Sequence, residues 1–234
     1  MKIAGSVTHW LFVICFSLLL FTSTVRLEVN SMQLYEYGFG KYRVSEVTKI
    51  DRAQLSDVAR RLIDYFNSKV ETPQMMVLIE GKEEIPLFQE NDQNRELTHL
   101  KDVKSLFQLN YRVQMASLAY IIIYVLLFLL WVKGRWQDLA RGVRRGCAFT
   151  LAIIVVLGVT SVFIDFEQLF IRFHHVAFDN PWWVSSGYLP RLFPERFWQG
   201  VALLGVGLVA VEALILGSIA WAIPFIYKKR KGVN

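Results

Sequence analysis

Histidine is the side chain whose ordinary pKa lies closest to neutrality, so its positions are the first to weigh for proton-transfer chemistry. The chain has four histidines: His9, His99, His174 and His175. His99 has Glu96 three residues before it and Asp102 three after. On a helix either carboxylate can share its face. A carboxylate accepting one ring N–H would fix the tautomer and raise the basicity of the other nitrogen. The same spacing also describes an ordinary solvated helix face. His174 and His175 lie in DFEQLFIRFHHVAFDNPWW (165–183), where Arg172, Asp179 and Asn180 stand among aromatics. Arg172 or Asn180 could donate to a developing oxyanion, although Asn180-Pro181 is also a simple turn signal. Glu212 interrupts a long apolar run, which makes it a functional candidate, with a protonated or helix-bonded carboxyl as the equal alternative. Metal ligation is open to such residue types. No HExxH or tight ligand spacing supports it, so neither a metal nor any other cofactor is expected. GxSxG, Walker A and GxGxxG elements are absent, which argues against serine hydrolases, NTPases and dinucleotide enzymes.

The elements that position these residues follow from the apolar pattern. Of 234 residues, 54% are apolar and 20% charged, above the apolar share of a soluble domain. The excess collects in four blocks, at 7–25, 116–132, 147–164 and 199–226. Each is long enough to cross a bilayer as a helix. That excludes a soluble enzyme, a disordered chain and a porin-type barrel, whose strands would show weaker alternation. The first block reads as a retained signal-anchor helix, because Thr22-Ser23-Thr24 is a poor cleavage site. The last block carries Gly200, Gly205, Gly207 and Gly217, which suit close helix contacts. The fold class expected is therefore an all-α polytopic membrane protein. It has four transmembrane helices and a small α+β extracytoplasmic domain, 26–115, between helices 1 and 2.

Within that domain, Asp51 opens an amphipathic helix over 51–68, with Gln54 as the partner of a capping box. Met75–Ile79 reads as a strand, Glu80–Glu83 as a turn, and Ile85–Phe88 as a returning strand. A second amphipathic helix, about 94–112, bears His99 and feeds into the second span. Segment 165–198 is interfacial or re-entrant in character, with Trp182, Trp183, Tyr188 and Trp198 as belt residues. Cys15 and Cys147 stand apart, without a CxxC motif, and read as small apolar residues.

The net charge of +6 is juxtamembrane. Lys133, Arg135, Arg141, Arg144 and Arg145 cluster in loop 133–146, and the tail 227–234 begins Tyr-Lys-Lys-Arg-Lys. This is the positive-inside pattern, with attraction to anionic membrane lipid and no nucleic-acid partner. Loop 133–146 and both termini are thereby assigned to the cytoplasm, and 26–115 and 165–198 to the outer face. His99 and His174 then share one membrane face. There they read either as an acid/base pair or as interfacial polar residues with satisfied hydrogen bonds.

Two stretches resemble a known family. RELTHLKDVKSLF (95–107) is similar to an E-(I/L)-x-H-(M/L)-x-DV-K element. FHHVAFDNPWW…LPRLFPERFW (173–198) is similar to an FHxxFFxNxxW…L…(F/Y)PexFF element, with Ala177 in place of a phenylalanine. Both belong to four-span bacterial membrane proteins of the lipoprotein intramolecular transacylase type. The resemblance implies an acyltransferase of the bacterial cell membrane. Its substrate would be a diacylglyceryl-cysteine lipoprotein, whose sn-2 acyl chain moves to the α-amine of the same cysteine. It implies His99 and His174 as the catalytic residues, His174 before His175 because the motif's histidine directly follows phenylalanine. Glu96, Asp102, Arg172 and Asn180 are the supporting residues. The alternatives are a membrane-face lipid hydrolase using the same histidines, and a non-catalytic lipid- or protein-binding membrane protein.

Overall fold

The computed structural model describes residues 2–91, 95–130 and 136–230, with side chains described from 6 to 223 within those ranges. Lys133, Arg135 and the last four residues of the basic tail lie outside the described residues. In chain order the elements are α1 (Lys2–Val29), α2 (Met32–Lys41), α3 (Val44–Thr48), α4 (Arg52–Asn67), β1 (Met76–Ile79) and β2 (Glu83–Pro86). They continue with α5 (Glu96–Leu130), α6 (Trp136–Phe163), α7 (Phe166–Ala177), α8 (Leu189–Leu192) and α9 (Glu195–Arg230). Helices α1, α5, α6 and α9 are long and apolar enough to cross a membrane.

Three boundaries differ from the sequence expectation. The amphipathic helix bearing His99 and the second apolar block form one helix of 35 residues, about 52 Å long at 1.5 Å per residue. Most of the loop expected at 133–146 is helical from Trp136. Hydropathy drops there while helix propensity does not, and Arg141 pairs with Asp138 one turn away at 3.2 Å. The second strand is Glu83–Pro86 rather than 85–88. Glu80 and Gly81 both take positive φ, which reverses the chain at once and pairs Ile79 with Glu83.

The chain forms two compact units. The first comprises the described parts of Met1–Val25, Asn110–Phe163 and Leu204–Asn234. Its core is Leu20, Cys147, Val209 and Ala213. Gly146 lets α6 close on α1, since a β-carbon there would lie 2.7 Å from the Phe16 ring. Ser17 and Thr150, both buried, join the two helices by a 2.9 Å hydroxyl hydrogen bond. Among the α9 glycines of this unit, Gly217 faces Cys147, whereas Gly207 faces open space. Outward side chains such as Ile122, Leu126, Val155 and Leu214 are exposed and apolar, as a lipid-facing surface requires.

The second unit comprises Arg26–Leu109 and Ile164–Leu203. Segment 165–198 is therefore part of the same compact unit as residues 26–109. Leu55, Val58, Ala59, Leu62, Tyr65 and Phe66 form the buried face of α4. They join Val77, Leu87 and Phe88 of the hairpin region and Leu192, Phe193 and Phe197 near α8 in one core. Asp51 caps α4 through the Gln54 N–H. Gln54 does not complete the capping box. Its side-chain amide returns to Asp51 at the carboxylate, donating at 2.7 Å, and also accepts from the Leu78 N–H at 2.7 Å and donates to the Leu78 carbonyl, closing one edge of β1. Gly38 receives the ring of Phe197, which a β-carbon would overlap, and Tyr42 donates to the Arg196 carbonyl at 2.7 Å. These contacts place the two halves of the unit face to face.

Candidate active site

His99 is the fourth residue of α5, and His174 lies in the last turn of α7. The first part of α5, to Leu109, and all of α7 belong to the second unit, which brings the two imidazoles together across 75 positions of sequence. Their centroids are 5.9 Å apart with planes inclined by 32°. His99 is 6% exposed and His174 7%. Two imidazoles so close and so dry do not both accept a proton readily.

The surroundings of His174 are aromatic. Phe170 lies 4.2 Å from its ring centroid, Trp183 4.7 Å, and Phe173 and Phe178 5.5 Å each. Phe178 also meets His99 edge-on at 5.0 Å. The polar contact of His174 is between Nδ1 and the Phe170 carbonyl oxygen, at 2.8 Å. A carbonyl only accepts, so Nδ1 carries the hydrogen and Nε2 holds the lone pair. Burial lowers the pKa of His174 below the ordinary histidine range. The Phe170 carbonyl acts in the opposite direction, and the neighbouring His175 adds to the lowering. The ring is thus a neutral base with a fixed tautomer.

Nδ1 of His99 is buried without a hydrogen-bond partner. Neither Glu96 nor Asp102 holds that nitrogen, and each has other work. Glu96 is fully buried. Its carboxylate accepts from the Leu189 N–H at 2.7 Å, the Ser185 hydroxyl at 3.0 Å and the Gln89 N–H at 3.0 Å. Asp102 accepts from the Asn180 side-chain amide at 2.9 Å. Asn180 also accepts from the Trp182 N–H at 3.1 Å, so its amide is engaged in a turn rather than aimed at an oxyanion position. Three residues on α5 therefore divide the labour. Glu96 and Asp102 fasten the loop 178–189, and His99 faces His174.

The other candidates stand elsewhere. Arg172 is exposed, two residues from His174 and so on nearly the opposite face of α7. His175 is exposed and meets the Trp183 ring edge-on at 5.7 Å. Glu212 belongs to the first unit, whereas both histidines belong to the second. His9 is also in the first unit, with Nε2 2.8 Å from the Arg145 guanidinium. No cluster of three metal-ligating side chains occurs among the described residues. Trp183 was legible only as a belt aromatic, and Ser185, Gly187 and the Leu189 N–H gave no signal. Their partner Glu96 is about 90 positions away, and no local spacing links them.

No curated protein matches the sequence. Three solved structures match over nearly the whole fold, all of the membrane integral lipoprotein intramolecular transacylase Lit from Bacillus cereus. One superposes with a TM-score of 0.75 at 16% identity, covering 99% of each chain. A histidine-to-arginine variant gives 0.74, covering 99% of this chain and 96% of that one, and a histidine-to-alanine variant 0.73, covering 98% and 97%, both at 16% identity. At this identity the likeness concerns the fold: a multi-pass helical membrane protein. The sequence profile described as "Lipoprotein intramolecular transacylase Lit" matches residues 10–198. That stretch includes His99, His174 and the loop clamped beside them, and the chain belongs to the lipoprotein intramolecular transacylase (Lit) family.

Proposed function

We propose that this chain moves the sn-2 acyl group of a diacylglyceryl-cysteine lipoprotein onto the α-amine of the same cysteine. The observation that carries the reading is the buried His99–His174 pair, with one lone pair assigned to His174 Nε2. The amine nitrogen attacks the sn-2 carbonyl carbon through a ring of about eight atoms, which closes poorly unless the ends are held together. A C–N amide bond forms, and the C–O bond to the glyceryl sn-2 oxygen breaks. His174 Nε2 takes the amine proton. The departing oxygen takes that same proton from His174 and leaves as a hydroxyl, while neutral His99, which faces His174, donates a hydrogen bond to the developing oxyanion. The products are one N-acyl lyso-lipoprotein of unchanged mass and a restored histidine pair, so no cofactor enters the balance.

The sequence pattern alone assigns the base role to His99, oriented by Glu96 or Asp102, with exchange of roles left open. The carboxylates' engagement with the 178–189 loop, and the Phe170 carbonyl behind His174, favour the exchanged roles. The arginine pattern at Arg141, Arg144 and Arg145 favours the cytoplasmic side for that end of α6, which supports reading the histidines at the outer membrane face.

The test is expression of wild type, His99→Ala and His174→Ala in a bacterium lacking its own lipoprotein N-acylation. Mass spectrometry of one lipoprotein's N-terminal peptide reads the outcome. Rearrangement at constant mass, lost in both variants, is expected. Release of free fatty acid by wild type would favour the hydrolase reading instead.

A further inference from the structure

The transacylase and the hydrolase readings use the same pair of histidines and the same ester. They differ only in which nucleophile reaches the sn-2 carbonyl. Water is small and abundant, so a site that transfers acyl groups to an amine must keep water from the activated carbonyl. The structure contains a device suited to that task.

Trp183 packs against the His174 ring, with centroids 4.7 Å apart and planes inclined by 37°, and exposed His175 meets it edge-on. It comes from the irregular loop between α7 and α8, where no backbone ladder holds it. Two carboxylates of α5 hold the loop instead. Asp102 binds Asn180, three residues before Trp183, and the Asn180 side chain fixes the Trp182 N–H. Glu96 binds Ser185, two residues after Trp183, and the Leu189 N–H. Gly187 sits against the Glu96 carboxylate where any β-carbon would overlap it. Arg95 stacks over Trp182 at 4.5 Å. The indole is therefore clamped on both sides, through the same helix that carries His99. A loop needing only to cover apolar surface would not require a fully buried carboxylate with three donors.

We propose that Trp183, clamped by Glu96 and Asp102 through loop 178–189, is the specificity-determining cover of the site, sending the sn-2 acyl group to the amine rather than to water. This rests on the transacylase reading above. Glu96 and Asp102 are positioning residues in it. In the diverted reaction, water oxygen bonds to the carbonyl carbon and the sn-2 C–O bond breaks. A free fatty acid leaves, and the lipoprotein keeps a free α-amine and loses one acyl mass.

The experiment uses the full chain, purified in detergent, with a synthetic diacylglyceryl lipopeptide in heavy-oxygen water. Wild type is expected to give the N-acyl lyso product with little labelled fatty acid. Trp183→Ala is expected to keep consuming substrate while the labelled fatty acid share rises on the order of tenfold. Trp183→Phe, which keeps a ring against His174, should restore transfer. If Trp183→Ala elutes unfolded, Trp183→Leu gives the same readout. A readout independent of turnover is carbethoxylation of His174, mapped by peptide mass spectrometry. It should accelerate on the order of tenfold in Trp183→Leu over wild type. Unchanged partition in a folded Trp183→Ala or Trp183→Leu enzyme overturns the proposal. So does loss of all turnover in both, or unchanged His174 labelling. A wild type that leaves the lipopeptide untouched refutes the transacylase reading itself, whatever the labelling shows.

Discussion

Nδ1 of His174 lies 2.8 Å from the carbonyl oxygen of Phe170, one turn earlier on the same helix. This contact sets which nitrogen is free, and burial lowers the pH at which that nitrogen is protonated. A base that must be neutral to work loses rate as pH falls through its pKa. The acid limb of the rate profile is therefore expected below about pH 6.5, the ordinary histidine value. A limb at or above that value in purified enzyme would contradict the arrangement. His174→Gln should lower the rate by about 10²- to 10⁴-fold, the usual worth of a positioned general base.

The same lowering has a consequence for stability. The folded His174 binds a proton less readily than the unfolded chain does. Its contribution is fully present above the unfolded value of about 6.5 and is lost as pH falls through the lowered folded value. His174→Phe removes this titration while keeping a ring in the aromatic enclosure. The melting midpoint of wild type should drop more steeply on acidification below about pH 6.5 than that of His174→Phe. Parallel slopes would show that His174 protonates as easily folded as unfolded.

Glu96 is a separate case, because its carboxylate is buried with three donors turned toward it. Glu96→Ala leaves two backbone N–H groups and a hydroxyl without their acceptor. The expected cost is about 3 kcal/mol or more, since each orphaned buried donor costs roughly 1–3 kcal/mol. Glu96→Gln keeps one acceptor oxygen and should cost less, about 1–2 kcal/mol. Thermal unfolding in detergent orders the three proteins. A Glu96→Ala midpoint equal to wild type would mean that the clamp contributes nothing.

These cases mark where sequence is legible and where it is not. The four spans were readable because an apolar run of bilayer length, nearly free of charge, has nowhere to bury itself in a small soluble domain. Helix α4 was readable because Leu55, Val58, Leu62 and Phe66 recur at helical spacing and Asp51 caps them. His99 and His174 were readable as candidates from their rarity, and from motifs resembling the family's. The partners of Glu96 and Asp102 were not, because spacing reports neighbours on one helix and both carboxylates reach a loop on another segment. The helical start of α6 was missed for a related reason. Charge ends a hydropathy window but does not end a helix.

Gly187 tests how tightly the clamp is built. A β-carbon at this position would lie 2.4–2.5 Å from the Glu96 carboxylate, which has no free direction to retreat. Gly187→Ala should cost about 1–3 kcal/mol, as overpacking does, and should raise hydrolysis if the cover is displaced. Gly40 provides the control, being helical with nothing within 4 Å of the place a methyl group would take. Gly40→Ala should be neutral or stabilising by about 0.5–1 kcal/mol. Equal midpoints for the two variants would remove the special status of Gly187.

The first unit can be probed at the α1–α6 contact, where Ser17 and Thr150 bond to each other and both reach the Gly146 carbonyl. In a membrane such bonds are worth modest amounts, because separated helices find other partners. Ser17→Ala should therefore cost only about 0.6–1.7 kcal/mol. Gly146→Leu acts differently. Its β-carbon would fall 2.7 Å from the Phe16 ring, so the helices must separate and the neighbouring Leu20–Cys147 core loosens with them. A cost of about 1–3 kcal/mol or more is expected. Adding Ser17→Ala to Gly146→Leu should then cost less than it does alone, since the hydroxyls no longer meet. Full additivity in a double-mutant cycle of detergent unfolding would show that close approach and hydrogen bonding are independent at this contact.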